Sequence, residues 1–365
     1  MLGRDVRQAI VSHGPGFALA NLESLLAQAD LRFANLECVL PAPGEPVLES
    51  PFDMWSSWEG ALGLVRARLD VLSLANNHIL DHGANAARST AAFCHQHGLL
   101  PIGFGETAEE ARRARIVERN GLRLAFLGYT DAYGPHGFQG QPGPAYAEAE
   151  VMLADVHDAR QHADAVIVSL HADLEFAHHP APWRLSLCRK LVDAGATLIL
   201  GHHPHVPQGV ERRGHGLIAY SLGNLVYDAT TRASMRAGGP FTAQSVVLDV
   251  DVEAGRVVEY RLHPFCIGED HRPQLLAAAD RDELLRAIEG WSIDLQDPQK
   301  IMEAWVDTCL RYVGVTLGVL SRAFAEGGAE TVIQSELPML VYGPLRPFAD
   351  HIVAIVQELA RPNKP

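Results

Sequence analysis

Four short stretches of this chain place metal-binding or proton-moving side chains directly after apolar runs. Residues 31–34 lead into Asn35-Leu36-Glu37, and residues 71–74 into Ala75-Asn76-Asn77-His78. The run at 166–170 ends at His171, with Glu175 four positions on. The run at 198–200 ends in Gly201-His202-His203-Pro204-His205. Ligand sites in α/β proteins lie outside the carboxyl ends of the strands, so these residues could share one crevice. Each also has a plainer reading. A lone Glu37 after a strand can be a solvated loop residue, Asn76-Asn77 a turn that tolerates left-handed backbone, and His171 a hydrogen-bonded histidine. His203-Pro-His205 is harder to set aside. An extended alternation would turn both imidazoles to one side, with proline stiffening the link. His178, His179 and His215 have no such placement and read as surface or rim residues.

The elements that must carry these groups alternate as in an α/β protein. Strands are expected at 31–35, 71–74, 122–129, 165–170, 197–200 and 217–222, and helices at 16–28, 59–68, 84–97, 147–162 and 183–194. Residues 245–252 and 257–262, joined through Glu253-Ala254-Gly255, suggest a hairpin. From about residue 274 the pattern turns helical, at 280–291, 298–325 and 348–360. Two regions are therefore expected: 1–270, which holds the chemistry, and a helical C-terminal region, 271–365.

Composition narrows the partners. An apolar fraction of 47% and a charged fraction of 20% in 365 residues are globular values. A net charge of −14 excludes the basic footprint of a nucleic-acid or anionic-membrane surface, and leaves an anionic substrate dependent on local positive charge. Five scattered cysteines form no CxxC pair, so they read as buried thiols. No run approaches the roughly 18 apolar residues of a membrane span, and the N-terminus lacks the apolar core of a signal peptide. The chain as written reads as cytoplasmic.

In combination, the order carboxylate, Asn-His, His, His-x-His resembles the calcineurin-like metallophosphoesterases, and more closely the CapA (PGA_cap, poly-γ-glutamate capsule synthesis) family. The motif segments are Asn35-Leu36-Glu37, Ala75 to Gly83, Asp193 to Gln208, and Tyr220 to Asn224, within roughly residues 1–230. The resemblance implies a four-layer αββα sandwich with a helical C-terminal appendage. It also implies two divalent ions (Mn, Fe or Zn), with Glu37 bridging or flanking them, Asn77, His171 and His203 on one ion, and His205 on the other. His78 would protonate the leaving group or steady transition-state charge, and Asp81 would orient His78. The implied activity is metal-dependent hydrolysis linked to poly-γ-glutamate or capsule-type polymer, with an anionic small-molecule or polymer substrate and capsule or polyglutamate synthase subunits as partners. The alternatives are a non-catalytic polymer-binding subunit of a synthase or export complex, and a catalytically dead relative.

Two departures from the family pattern stand out. Where the family has His-Trp-Gly-x-Glu, this chain has His171-Ala172-Asp173-Leu174-Glu175, which removes the Trp wall. The family opens on a strand ending Gly-Asp-Val-Met-Leu-Gly-Arg, whereas this chain begins at Met1-Leu2-Gly3-Arg4. The first strand and its ligand Asp are therefore expected upstream, in a segment that could also carry a signal or membrane anchor. A form starting at Met1 is expected to fold poorly.

Overall fold

The computed structural model describes residues 1–50, 52–131 and 141–311. Residues 1–297 form one compact unit, and a second begins at Pro298. Within the second, residues 298–311 are helical. The rest of the helix expected at 298–325, and the one at 348–360, lie outside the described residues.

The largest sheet has six strands in the order Val210–Arg213, Gly216–Ala219, Leu198–His202, Ala165–His171, Leu122–Thr130, Arg115–Arg119. Its four inner strands run parallel, and the two outer pairings are antiparallel. Ala165–His171 is buried at every position. That burial explains why it reads as a continuous apolar run, since a central parallel strand is covered on both faces. A second, parallel sheet holds Phe33–Asn35, Val71–Ser73 and Leu100–Ile102. An antiparallel sheet is formed by Gln244–Glu253, Arg256–Ile267 and Pro273–Leu275. The expected hairpin is there, turned by Ala254 and Gly255, both at positive φ.

The layers follow from side-chain alternation. Val71 and Ile102 of the parallel sheet join Phe126, Ile167, Leu198 and Leu217 of the large sheet, and Val246 and Val257 of the hairpin, in one apolar layer. Leu72 and Leu74 point the other way, into a core with Leu64, Ala87 and Phe93 from helices Trp58–Arg66 and Gly83–Gln96. Helices Ala149–His162 and Pro182–Asp193 pack on the outer face of the large sheet. The result is the expected helix–sheet–sheet–helix sandwich. Among the described residues, neither Phe33–Asn35 nor Gln244–Glu253 pairs with a further strand on its other edge.

Some elements differ from expectation. Residues 16–28 do not form one helix. They make a 3-10 turn, Phe17–Leu22, followed by the single helical turn Glu23–Leu26. The N-terminus holds an unexpected helix, Arg4–His13, preceded by buried Met1 and Leu2. Strand Arg115–Arg119 was not foreseen either. It pairs with Leu122–Thr130 across Asn120-Gly121, both at positive φ. Asn-Gly is the strongest short hairpin signal, but the charged residues around it masked the strand.

Candidate metal centre

The register brings strand ends together. Thr130 pairs with His171 and His171 with His202, so the carboxyl ends of three parallel strands stop at one rung. Asn35, at the end of its own strand, places Nδ2 3.4 Å from His171 Nδ1, which joins the two sheets at this edge.

Glu37 is the centre of the cluster. Its Oε1 lies 3.6 Å from His171 Nε2, 3.8 Å from His205 Nε2 and 3.9 Å from His78 Nε2. Asn77 Oδ1 lies 2.8 Å from His171 Nε2, and Asn77 Nδ2 donates to His78 Nε2 at 3.0 Å. Asn76 shapes the turn without left-handed backbone. Its Nδ2 donates to the Leu36 carbonyl at 2.9 Å, and its Oδ1 accepts from the His78 backbone N–H at 3.1 Å. His78 Nδ1 donates to Asp81 Oδ2 at 2.6 Å, which fixes the ring, and Phe52 meets its edge.

His203 and His205 both face the cluster, but not by extended alternation. Their φ values are 96° and 57°, in the region that L residues rarely adopt. Such geometry costs of order 1–3 kcal/mol per residue and persists where the surroundings over-determine it. For His205 those surroundings are visible. Its Nδ1 donates to Asn224 Oδ1 at 2.8 Å, Asn224 Nδ2 donates back to the His205 carbonyl at 3.1 Å, and the Tyr227 ring lies 4.9 Å away.

Every site residue expected from the sequence is therefore here: Glu37, Asn77, His78, Asp81, His171, His203 and His205. Sequence reasoning did not assign Glu175 as a ligand. Donor atoms of Glu175, His203 and His205 lie within 4.8 Å of one another, as do those of Glu37, His171 and His203. The signal was present in the four-residue spacing from His171 to Glu175. His202 stays out of the cluster, its ring beside Phe33 in the inter-sheet layer. His178 and His179, expected at the surface or rim, are partly buried and hydrogen-bonded.

The electrostatics suit a cation. Burial, and then the neighbouring imidazoles, hold His171 and His203 well below the usual histidine value. Burial, with Arg184 adding to it, takes His202 down to about 3. A neutral imidazole is the form that ligates metal. Glu37 Oε1 and His203 Nδ1 are buried with no hydrogen-bond partner among the described residues. A buried carboxylate oxygen without a hydrogen-bond partner, beside the neutral ring of His171, calls for a counter-charge. Donors at about 2.0–2.2 Å from one ion lie roughly 3–4.4 Å apart, adjacent to opposite, and the 3.6 Å between Glu37 and His171 falls in that range. The donor set fits a divalent metal ion.

Residues 1–229 match the family described as bacterial capsule synthesis protein PGA_cap. The capsule biosynthesis protein CapA of Bacillus anthracis is 28% identical over 304 residues, which is 79% of this chain and 70% of that protein. The PGA biosynthesis protein CapA of Bacillus subtilis (strain 168) is 30% identical over 233 residues, 62% of this chain and 61% of that one. A solved 5'-nucleotidase precursor from Thermus thermophilus aligns with a TM-score of 0.43 and 13% identity, over 78% of this chain and 53% of its own. The family match spans more than half of the chain and includes every residue of the centre, from Glu37 to Asn224. The chain belongs to the bacterial capsule synthesis protein PGA_cap family.

Proposed function

We propose that this protein is a metal-dependent hydrolase of phosphoesterase type that serves the making or trimming of a capsule-type polymer such as poly-γ-glutamate. The observation that carries the reading is Glu37 Oε1, unpartnered among the described residues, 3.6–3.9 Å from three imidazoles, one of which is held by its own carboxylate. Glu37, Asn77 and His171 would hold one divalent ion, and Glu175 and His205 a second. His203, common to both groups, would serve one of them. Mn, Fe or Zn suits this mixed nitrogen and oxygen set. When bound, such ions supply Lewis-acid polarisation of the scissile group and activation of water.

The chain's own residues would do the rest. Asp81 holds the Nδ1 proton of His78, so a second proton taken up by the ring would sit on Nε2, the atom that faces Glu37 and Asn77. His78 can then deliver that proton to a leaving oxygen while Asp81 stabilises the imidazolium. Glu175 supplies a carboxylate to the His203–His205 side, where the resemblance implied an Asp from an upstream strand. That supports a working centre over a dead one.

The relatives are named for biosynthesis, which favours a second reading: a subunit that holds an anionic polymer beside a synthase without turning it over. Steady-state hydrolysis of a generic phosphodiester with Mn²⁺ separates the two. Turnover that disappears in His78→Ala supports the hydrolase. Tight polymer binding without turnover supports the subunit.

A further inference from the structure

The loop carrying Glu175 adopts unusual backbone. Asp173 has φ 94° and Phe176 φ 61°, on either side of the candidate ligand. At its base, the Asp173 carboxylate accepts from the Leu174 and Ala181 backbone N–H groups and from Arg184. In its middle, Phe176 N–H donates to the Pro204 carbonyl at 2.8 Å, and Gln208 Nε2 donates to the Ala177 carbonyl at 2.8 Å.

His178 Nδ1 donates to the Pro207 carbonyl at 3.1 Å, and a further anchor comes from helix Ala278–Asp294, outside the family match at 1–229. The His178 ring stacks on Trp291, with centroids 4.3 Å apart and planes 9° from parallel, and Phe241 meets both rings edge-on. His179 Nε2 lies 3.1 Å from Asp294 Oδ2. The same turn of helix grips the segment that follows His205. Ser292 Oγ accepts from the Val210 backbone N–H at 2.8 Å, and a methyl group on Gly209 would lie 2.9 Å from Ser292 N.

We infer that the last turn of this helix is a positioning element of the metal centre. Trp291 and Asp294 fix His178 and His179, three and four residues beyond Glu175, and so hold the Glu175 carboxylate against His203 and His205. This rests on the metal-centre reading above. Left-handed backbone at Asp173 and Phe176 is sparsely populated, so the loop keeps its shape only while its neighbours impose it.

The test uses the full chain and four variants. Trp291→Ala and Asp294→Ala remove the anchor, and Trp291→Phe keeps an aromatic ring. Leu284→Ala is the control: Leu284 is buried on the same helix but packs into the inter-sheet layer. Hydrogen exchange of metal-free protein reads the amides of residues 174–179, and a Mn²⁺ titration reads the ions. In Trp291→Ala we expect loop exchange to rise about tenfold or more, and the weaker Mn²⁺ affinity to fall about 10–100-fold. Trp291→Phe restores both, and Leu284→Ala lowers the melting temperature without either change. Unchanged loop exchange in Trp291→Ala overturns the inference. So does an equal Mn²⁺ loss in Leu284→Ala compared at matched stability. If the unaltered protein binds no Mn²⁺, the metal-centre reading falls and takes the positioning role with it, whereas a failed anchor leaves the parent's Mn²⁺ binding intact.

Discussion

Glu37 illustrates how the centre works at the scale of one residue. A buried carboxylate oxygen without a hydrogen-bond partner is costly without a cation, so removing one ligand should release metal rather than unfold the chain. His203→Ala and Asn77→Ala are each expected to lower bound metal markedly. His202→Ala should not, because its ring lies beside Phe33 in the inter-sheet layer. Elemental analysis decides, and an equal loss in His202→Ala would show that the wrong imidazole had been assigned. His78→Ala should keep its metal and lose roughly two to four orders of magnitude in turnover, as expected for one general acid. Acid should weaken the metal-free fold. The unfolded chain takes up protons on these histidines below about 6.5, whereas buried His171, His202 and His203 resist protonation. Stability from each is present at neutral pH and lost towards acid, by up to about 1.4 kcal/mol per pH unit. Asp131 works in the opposite sense. Burial holds it up to about 7, so it favours the folded state on the acid side, and that contribution fades as pH rises through 7. Melting temperatures in chelator should therefore fall from about pH 7 to about pH 5, and fall more steeply in Asp131→Asn. A shallower fall in that variant would contradict the assignment.

At the scale of elements, the strand ends were readable because a central parallel strand must be apolar on both faces, so its first polar residues stand out. His171 and His202 end such strands, and Asn35 ends a partly buried one. What stayed hidden had other causes. Glu175 depends on a loop whose left-handed backbone no periodicity encodes. The strand at Arg115–Arg119 is half-exposed and charged, so it lacks the apolar run that marks its neighbours. Helix Arg4–His13 mixes charged and apolar residues over a short length, and its first residue is the last of the family's opening motif. The Asp173–Arg184 ion pair was equally invisible, since its partners lie 11 residues apart and meet only after folding. Both side chains are fully buried. Arg184→Leu would leave the Asp173 charge unpaired and should cost about 3–5 kcal/mol. Denaturant unfolding measures this, and a loss below about 1 kcal/mol would mean that the loop base relaxes and resolvates.

At the scale of the whole molecule, two sheets facing one apolar layer bring strand ends from both halves of the sandwich to a single edge. Among the described residues no helix is long and apolar enough to cross a membrane. The centre is assembled from segments far apart in sequence, Glu37, Asn77, His171, Glu175 and the His203–His205 loop, so a bound ion would cross-link the fold. A ligand that binds only the native state raises stability by mass action, about 2.7 kcal/mol at roughly a hundred times its dissociation constant. The most direct test of the central claim is the metal content of purified, dialysed protein beside that of Glu37→Gln, a near-isosteric change that removes the charge around which the imidazoles are arranged. We expect two divalent ions per chain in the parent and substantial loss in the variant. Parent protein that holds no divalent ion, or a Glu37→Gln protein that holds as much as the parent, would contradict it.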